Sequence, residues 1–145
     1  MHTEPDVHEV VKVLGLPADE HFTRVRFSDQ LAQGLPIAAL ERVQSLVAPG
    51  AAGFTRLIVA EGTLKRRRQK RQPLSHQESQ RLERVARIWT MVLDVYKHED
   101  RARRFLTSPH PMLDGRTPLQ VAVANDVGAD AVEGILGRLK YGSAA

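Results

Sequence analysis

The sequence predicts an all-α protein, and three observations support this prediction. Helix-capping patterns recur along the chain, apolar residues repeat at spacings of three and four, and strand-like alternation is nearly absent. The 145 residues leave room for one compact domain, or for two small helical subdomains that share a core. Because the chain has no cysteine, disulfides, thiolate catalysis and cysteine-bound zinc are excluded.

Short helices are predicted in the first half of the chain. Asp6, with Glu9 three positions later, forms a capping box that begins the first helix, and Gly15 ends it. Residues 17–27 are expected to form a loop, in which the alternation of residues 23–27 favours a short strand. Turn residues then divide the next segment into three helices, predicted over residues 28–33, 36–48 and 51–58.

A long helix is predicted at the centre of the second half. Ser75 and Glu78 form the capping box that begins it, and its apolar face continues to Tyr96. Nearly every residue from Ile88 to Tyr96 is apolar, so we expect this segment, with Trp89, to lie in the core. Three helices follow, predicted over residues 99–106, over 117–125 behind a Thr117–Gln120 capping box, and from Asp130 to Lys140.

A run of cations stands before the long helix. The formal net charge is only +4, yet six basic residues crowd together with no acid between Gly62 and Leu74. They are Lys65, Arg66, Arg67, Arg68, Lys70 and Arg71. We expect them on a helix that Thr63 caps and that ends near Arg71.

Two short helices and a turn directly precede this basic helix, which is the order of a helix-turn-helix motif. In that arrangement Lys65 and Arg66 could reach base edges, and the other four cations would contact phosphates, where each neutralised charge releases counterions. The alternative is a solvated charged face, or a flexible linker before Pro73. DNA binding is the interpretation that the sequence favours.

The patterns of common enzymes are missing. The chain has no glycine-rich phosphate loop and no Gly-x-Ser-x-Gly elbow, and its six histidines are scattered. His110, held between two prolines, could act as an acid or base, and Glu78 is a weaker candidate; a surface-loop histidine and a helix cap are the more common roles. We therefore expect no enzyme, no catalytic residues, no metal site and no cofactor.

Targeting signals are also missing from the sequence. Its start lacks the basic and then apolar pattern of a signal peptide, and no apolar run approaches the roughly 18 residues that cross a bilayer. The expectation is a cytoplasmic protein with no membrane partner.

Four blocks of sequence resemble one family in order and spacing. Gly62-Thr63-Leu64-Lys65-Arg66-Arg67 is the first, and the others span residues 74–82, 115–119 and 136–142. From about Gly34 onward the chain resembles the Xre/MbcA/ParS antitoxins. Residues 1–27, with one short helix, have no counterpart in the family and form an N-terminal extension. The resemblance implies an Xre-like helix-turn-helix region over 28–73 and a compact helical toxin-binding domain over 74–145.

The resemblance also implies a function. Family members are antitoxins of type II toxin–antitoxin systems, and their partners are RES-domain toxins that consume NAD or transfer ADP-ribose from it. The antitoxin would block the toxin's NAD pocket with its C-terminal helix and tail, here Leu136, Arg138, Lys140, Tyr141 and Gly142. A homodimer within the toxin–antitoxin complex would bind operator DNA and repress its own operon. A stand-alone helix-turn-helix transcriptional regulator is the alternative function.

Overall fold

The computed structural model of the protein describes residues 6–142, and all regular structure in this range is helical. Within these residues there are nine α-helices: α1 (Val7–Leu14), α2 (Arg24–Gln33), α3 (Ile37–Val47), α4 (Phe54–Ile58), α5 (Glu61–Lys70), α6 (His76–Tyr96), α7 (Glu99–Thr107), α8 (Pro118–Ala124) and α9 (Asp126–Tyr141). A short 3-10 helix spans Pro111–Leu113 between α7 and α8. The all-α prediction is confirmed.

Helix α6 is the centre around which the other helices pack. It contacts α1, α2, α3, α4, α7, α8 and α9. Trp89 is 1% exposed, as its apolar surroundings in the sequence predict. The guanidinium of Arg103 lies 5.8 Å from the centre of the indole ring, and its Nε donates to the Leu46 carbonyl at 2.7 Å. A tryptophan so enclosed stabilises the core and is not available to a partner.

Helix α1 also belongs to the core. It packs against α6 and α3 through Val10, Val11 and Leu14, all buried. Asp6 caps the helix, as predicted, but its carboxylate accepts from the amide of His8 at 2.9 Å, and Glu9 does not complete the predicted capping box. Residues 7–14 are therefore an integral element of this fold, although they lie in the segment for which the sequence offers no counterpart in the family.

The strand expected over residues 23–27 is wrong. Thr23 instead caps α2, with its Oγ1 accepting from the Arg26 amide at 3.2 Å. Phe27 is buried and Leu31, four residues later, is partly buried against the core, whereas Val25 is exposed. A helix puts residues four apart on one face, so this pattern has helical periodicity and the short alternation was coincidental.

Three other helix starts differ from the prediction, and the first is that of α4, which begins at Phe54 and not at residue 51. Helix α5 begins at Glu61, behind Ala60, and Thr63 does not cap it. Helix α9 begins at Asp126, where Asn125 Oδ1 accepts from the Gly128 amide at 2.8 Å. The Asn125 cap comes five residues before Asp130 and directly follows Ala124, so α8 and α9 are nearly continuous in sequence.

The capping boxes predicted for α6 and α8 both form. The Ser75 amide donates to Glu78 Oε1 at 2.8 Å, and the Glu78 amide donates to Ser75 Oγ at 3.2 Å. Thr117 and Gln120 exchange the same pair of bonds, each 3.1 Å long. Each box satisfies amides that lack partners within their own helix and so fixes where α6 and α8 begin.

Close backbone approaches fix two helix junctions. A Cβ on Gly34, where φ is +104°, would overlap the Leu74 carbonyl. Beside it the Leu74 amide donates to the Leu35 carbonyl at 2.9 Å, and the Leu35 amide donates to Ser79 Oγ at 2.8 Å. A Cβ on Gly128 would overlap the Val121 carbonyl where α8 meets α9. None of the helices between residues 6 and 142 has the length and apolarity of a membrane span.

Candidate nucleic-acid and protein-binding surfaces

Helices α4 and α5 form the predicted helix-turn-helix pair. Only Val59 and Ala60 separate them, and Phe54, Ile58 and Leu64 anchor the pair in the core. Arg81 of α6 donates from Nη1 to the Ile58 carbonyl at 3.0 Å, which gives a partner to a carbonyl at the end of α4. The second helix of the pair, α5, carries all but one of the six clustered cations, and Arg71 follows it directly.

The structure divides these cations into two sets. Lys65, Arg66 and Lys70 are exposed, and within residues 6–142 no ion pair engages them. Arg71 is exposed at the C-cap of α5, with a left-handed φ of 54°. These four exposed cations are accessible to a phosphate backbone.

The other two cations lie beside Leu64, on the side of α5 that faces the protein. Arg67 forms an ion pair with Glu78 of α6, and the two side chains are 16% and 11% exposed. Arg68 Nη2 lies 3.5 Å from Glu41 Oε2 of α3, and this pair is exposed. The sequence assigned both arginines to phosphates; the structure places both against acids, because a helix dense in cations must turn some of them toward its own protein.

The first turn of α5 carries no cation. Glu61 and Gly62 are both exposed there, and a Cβ on Gly62 would meet open space. The Glu61 carboxylate complements the positive end of the helix dipole but would repel a phosphate. The cationic part of the surface therefore starts one turn into the helix.

The second candidate surface lies at the end of α9. Leu136 is buried and anchors the helix, so it is not itself part of an exposed surface. Arg138, Lys140 and Tyr141 are exposed, the last by 57%. Gly142 ends the helix with a φ of +82° that favours glycine, and residues 143–145 of the tail lie outside the described range.

An ion pair holds Lys140 to α6. Its ammonium donates to the Asp94 carboxylate, which also accepts from Lys97 Nζ at 3.1 Å. The hydrogen bonds from Lys140 and then Lys97 lower the pKa of Asp94, and the hydrogen bond to Asp94 raises the pKa of Lys140. The Lys140 ammonium also lies 5.4 Å from the centre of the Tyr141 ring. Asp94 thus arranges the two residues at the end of α9.

The loop between α7 and α8 adds a methionine that sequence reasoning missed. His110 Nδ1 accepts from the Met112 amide at 3.1 Å, which places the ring proton of the neutral imidazole on Nε2. Met112 is 63% exposed, and Arg138 Nη2 lies 3.9 Å from its sulfur. His110 therefore caps a turn, and Met112 extends the exposed surface around Arg138. Only the two flanking prolines hinted at this turn.

Buried charges join α6 to the C-terminal helices. Arg84 donates from Nε to the Ala122 carbonyl at 2.9 Å and from Nη2 to the Val123 carbonyl at 2.6 Å, and its burial lowers its pKa. Arg87 Nη1 lies 3.5 Å from Glu133 Oε1, and Glu133 is 3% exposed. Sequence reasoning missed both contacts, because each joins residues on different helices that lie far apart along the chain. Among residues 6–142 no three acids or histidines are grouped to hold a metal ion.

The fold and the two surfaces define a helical protein with a helix-turn-helix at one end of α6 and an exposed cationic and aromatic surface at the other. Comparison with known families agrees with this division. The antitoxin Xre-like helix-turn-helix domain matches residues 27–87, and the antitoxin Xre/MbcA/ParS C-terminal toxin-binding domain matches residues 91–142. The chain belongs to the Xre/MbcA/ParS antitoxin family, as its sequence blocks indicate.

A relative in Pseudomonas putida supports the same family. The protein called antitoxin Xre in that organism is 35% identical over 85 residues, a stretch that covers 59% of this chain. The chain spans about half the length of this relative, since the match covers 53% of it. The matched helix-turn-helix ends at Arg87 and the matched toxin-binding domain begins at Met91, so α6 contributes to both.

Proposed function

We propose that the protein is the antitoxin of a type II toxin–antitoxin system, and that it neutralises a RES-domain toxin by covering its NAD pocket. The observation that carries the proposal is the toxin-binding-domain match, which ends at residue 142, on the exposed end of α9. The identity of the toxin as a NAD-consuming or ADP-ribosylating enzyme rests on the family resemblance. The antitoxin acts by occupying space and needs no catalytic group of its own.

The toxin-binding surface that we propose combines an anchored base with an exposed tip. Leu136 fixes the last turns of α9 in the core, and Gly142 lets the chain leave the helix axis. At the tip, Arg138 and Lys140 can engage polar or acidic groups of a pocket wall, while Tyr141 fills apolar space. Tyrosine and arginine are the residue types that most often dominate the affinity of protein interfaces.

Co-expression with the adjacent reading frame tests this proposal. If that frame encodes a toxin, the full chain should restore growth, and a chain that lacks residues 138–145 should not. A double Arg138→Ala, Tyr141→Ala variant removes only exposed side chains and should give the same loss without disturbing the core. Full protection by both altered chains would contradict the proposal.

We also propose that α5 binds operator DNA and that a homodimer presents two copies of it to a palindromic site. The helix-turn-helix match and the exposed Lys65, Arg66, Lys70 and Arg71 support this second activity. Each phosphate contact contributes about 0.9 to the slope of log K against log salt. Replacing Lys65, Arg66 and Lys70 with alanine should therefore reduce the slope by up to about 3. An unchanged slope would exclude α5 from the DNA interface.

The alternative function, a stand-alone transcriptional regulator, is favoured by the same basic helix. It requires operator binding that no partner protein modifies. Measuring operator affinity with and without the product of the adjacent reading frame separates the two functions, because an antitoxin must bind that product and a stand-alone regulator need not.

A further inference from the structure

Helix α5 has little apolar contact to fix its orientation. Of its ten residues only Leu64 is buried. One apolar anchor holds a helix in place but leaves rotation about its axis weakly determined, and rotation decides which cations face outward. Contacts on either side of Leu64 must therefore set the direction of Lys65, Arg66 and Lys70.

The Arg67–Glu78 ion pair is the more enclosed of the two contacts beside Leu64. Its carboxylate cannot drift, because Glu78 Oε1 also accepts from the Ser75 amide in the capping box of α6. The adjacent residue, Ser79, accepts from the Leu35 amide just before α3. The first turn of α6 is thus a fixed reference for the helix-turn-helix region, and Arg67 ties α5 to it.

We infer that Glu78 is a positioning residue for DNA recognition: held by the capping box, it fixes Arg67 and so the rotation of α5 that presents Lys65, Arg66 and Lys70. The inference rests on the proposed DNA binding. For a variant that lacks the Glu78 charge, this positioning role predicts a change in DNA affinity opposite to the one that simple electrostatics predicts. Removing an acid near a cationic surface normally strengthens binding to every DNA, whereas loss of positioning weakens only binding that depends on a defined register of contacts.

The variant Glu78→Gln isolates the ion pair. Glutamine serves at the third position of a capping box as glutamate does, so the start of α6 is kept and only the charge opposite Arg67 is lost. Glu61→Gln is the matched control, since it removes the same charge from an exposed position on α5 itself. Glu41→Gln, which releases Arg68 from an exposed pair, is a second control.

The measurement is fluorescence anisotropy with two probes, a duplex from the region upstream of the protein's own gene and a scrambled duplex of equal composition. We expect Glu61→Gln and Glu41→Gln to raise affinity for both duplexes and keep their ratio. For Glu78→Gln we expect affinity for the upstream duplex to fall about tenfold while affinity for the scrambled duplex stays equal or rises.

Each other outcome identifies what has failed. The positioning role alone is overturned if Glu78→Gln keeps the wild-type ratio of affinities for the upstream and scrambled duplexes. This holds whether both affinities rise equally or fall equally with a lowered Tm. A wild-type protein with no preference for the upstream duplex overturns the proposed operator binding and this inference with it.

Discussion

Each end of α6 holds a neighbouring helix through an ion pair, but the two ion pairs differ in how far they are buried. At the N-terminal end Glu78 pairs with Arg67 of α5, and at the C-terminal end Asp94 pairs with Lys140 of α9. Sixteen residues of helix separate the two acids, a distance of about 24 Å. The first pair is largely buried, whereas the side chains of the second are 42% and 39% exposed.

Because of this difference in burial, we expect α5 to be held in place and the end of α9 to be free to bind a partner. A buried pair cannot lose one member without leaving the other desolvated, so it holds its geometry. An exposed pair contributes at most about 1 kcal/mol and is screened by salt. We therefore expect α5 to keep one orientation, and we expect the end of α9 to exchange Asp94 for groups of a toxin at little cost.

The largest loss of stability should come from disrupting the packing of α9 against α8 while leaving α5 unchanged. Gly128→Ala places a methyl group against the Val121 carbonyl, and neither backbone can move without separating α8 from α9. We expect a loss of about 3 kcal/mol in the free energy of unfolding, seen as a Tm lower by roughly 10 °C.

Gly134→Ala is the matched control for that variant. It lies on the same helix, and its new methyl group would make only ordinary contact with Arg138. Because alanine favours a helix over glycine by about 1 kcal/mol, Gly134→Ala should raise the Tm. A Gly128→Ala protein as stable as wild type would show that the α8–α9 junction can relax.

The comparison of the two ion pairs is sharpened by truncating each acid. Glu78→Ala removes both the buried pair and half of a capping box, and should cost about 2–3 kcal/mol in the free energy of unfolding. Asp94→Ala should cost less than about 1 kcal/mol.

Urea unfolding at about 0.05 M and about 1 M salt measures both losses of unfolding free energy. The Debye length differs several-fold between these two ionic strengths. We expect the cost of Asp94→Ala to shrink at high salt and that of Glu78→Ala to persist. Equal costs with equal salt dependence would remove the distinction between the two ends.

The smallest expected effect is a dependence on pH at the Asp94 end. The pKa of Asp94 is lowered, so its pair stabilises the fold above the ordinary aspartate pKa of about 4 and ceases to do so as the pH falls through the folded value. The pKa of Lys140 is raised, so the same pair is lost again when the pH rises beyond that folded value.

The difference in Tm between wild type and Asp94→Asn should therefore be constant near neutral pH and vanish at both extremes. A difference that persists after the Asp94 carboxylate of the folded protein has been protonated, as followed by NMR titration, would show that Asp94 acts through something other than its charge.

Much of the fold was predictable because local signals determine it. Ser75 and Thr117 cap helices through bonds that span three residues, and Trp89 is surrounded in sequence by other apolar residues. The error at Thr23 arose where a cap and a short alternating pattern competed. The error at Asp130 arose because the true cap, Asn125, directly follows the preceding helix.

The candidate surfaces were only partly predictable. The cluster of cations is visible in the sequence, but its division into exposed and ion-paired residues is not. The partners of Arg67 and Arg68 lie 11 and 27 residues away on other helices. Met112 and Asp94 likewise meet α9 only through tertiary packing. Sequence patterns report spacing along one helix and not which side of that helix faces a neighbour.

The most direct test of the account measures two affinities of two variants. Purified toxin from the adjacent reading frame and the upstream duplex are each titrated with the Lys65→Ala, Arg66→Ala, Lys70→Ala protein and with the Arg138→Ala, Tyr141→Ala protein. The account predicts that the first variant loses DNA affinity and keeps toxin affinity, and that the second does the reverse. If either variant loses both affinities while its Tm is unchanged, the two activities do not lie at opposite ends of α6.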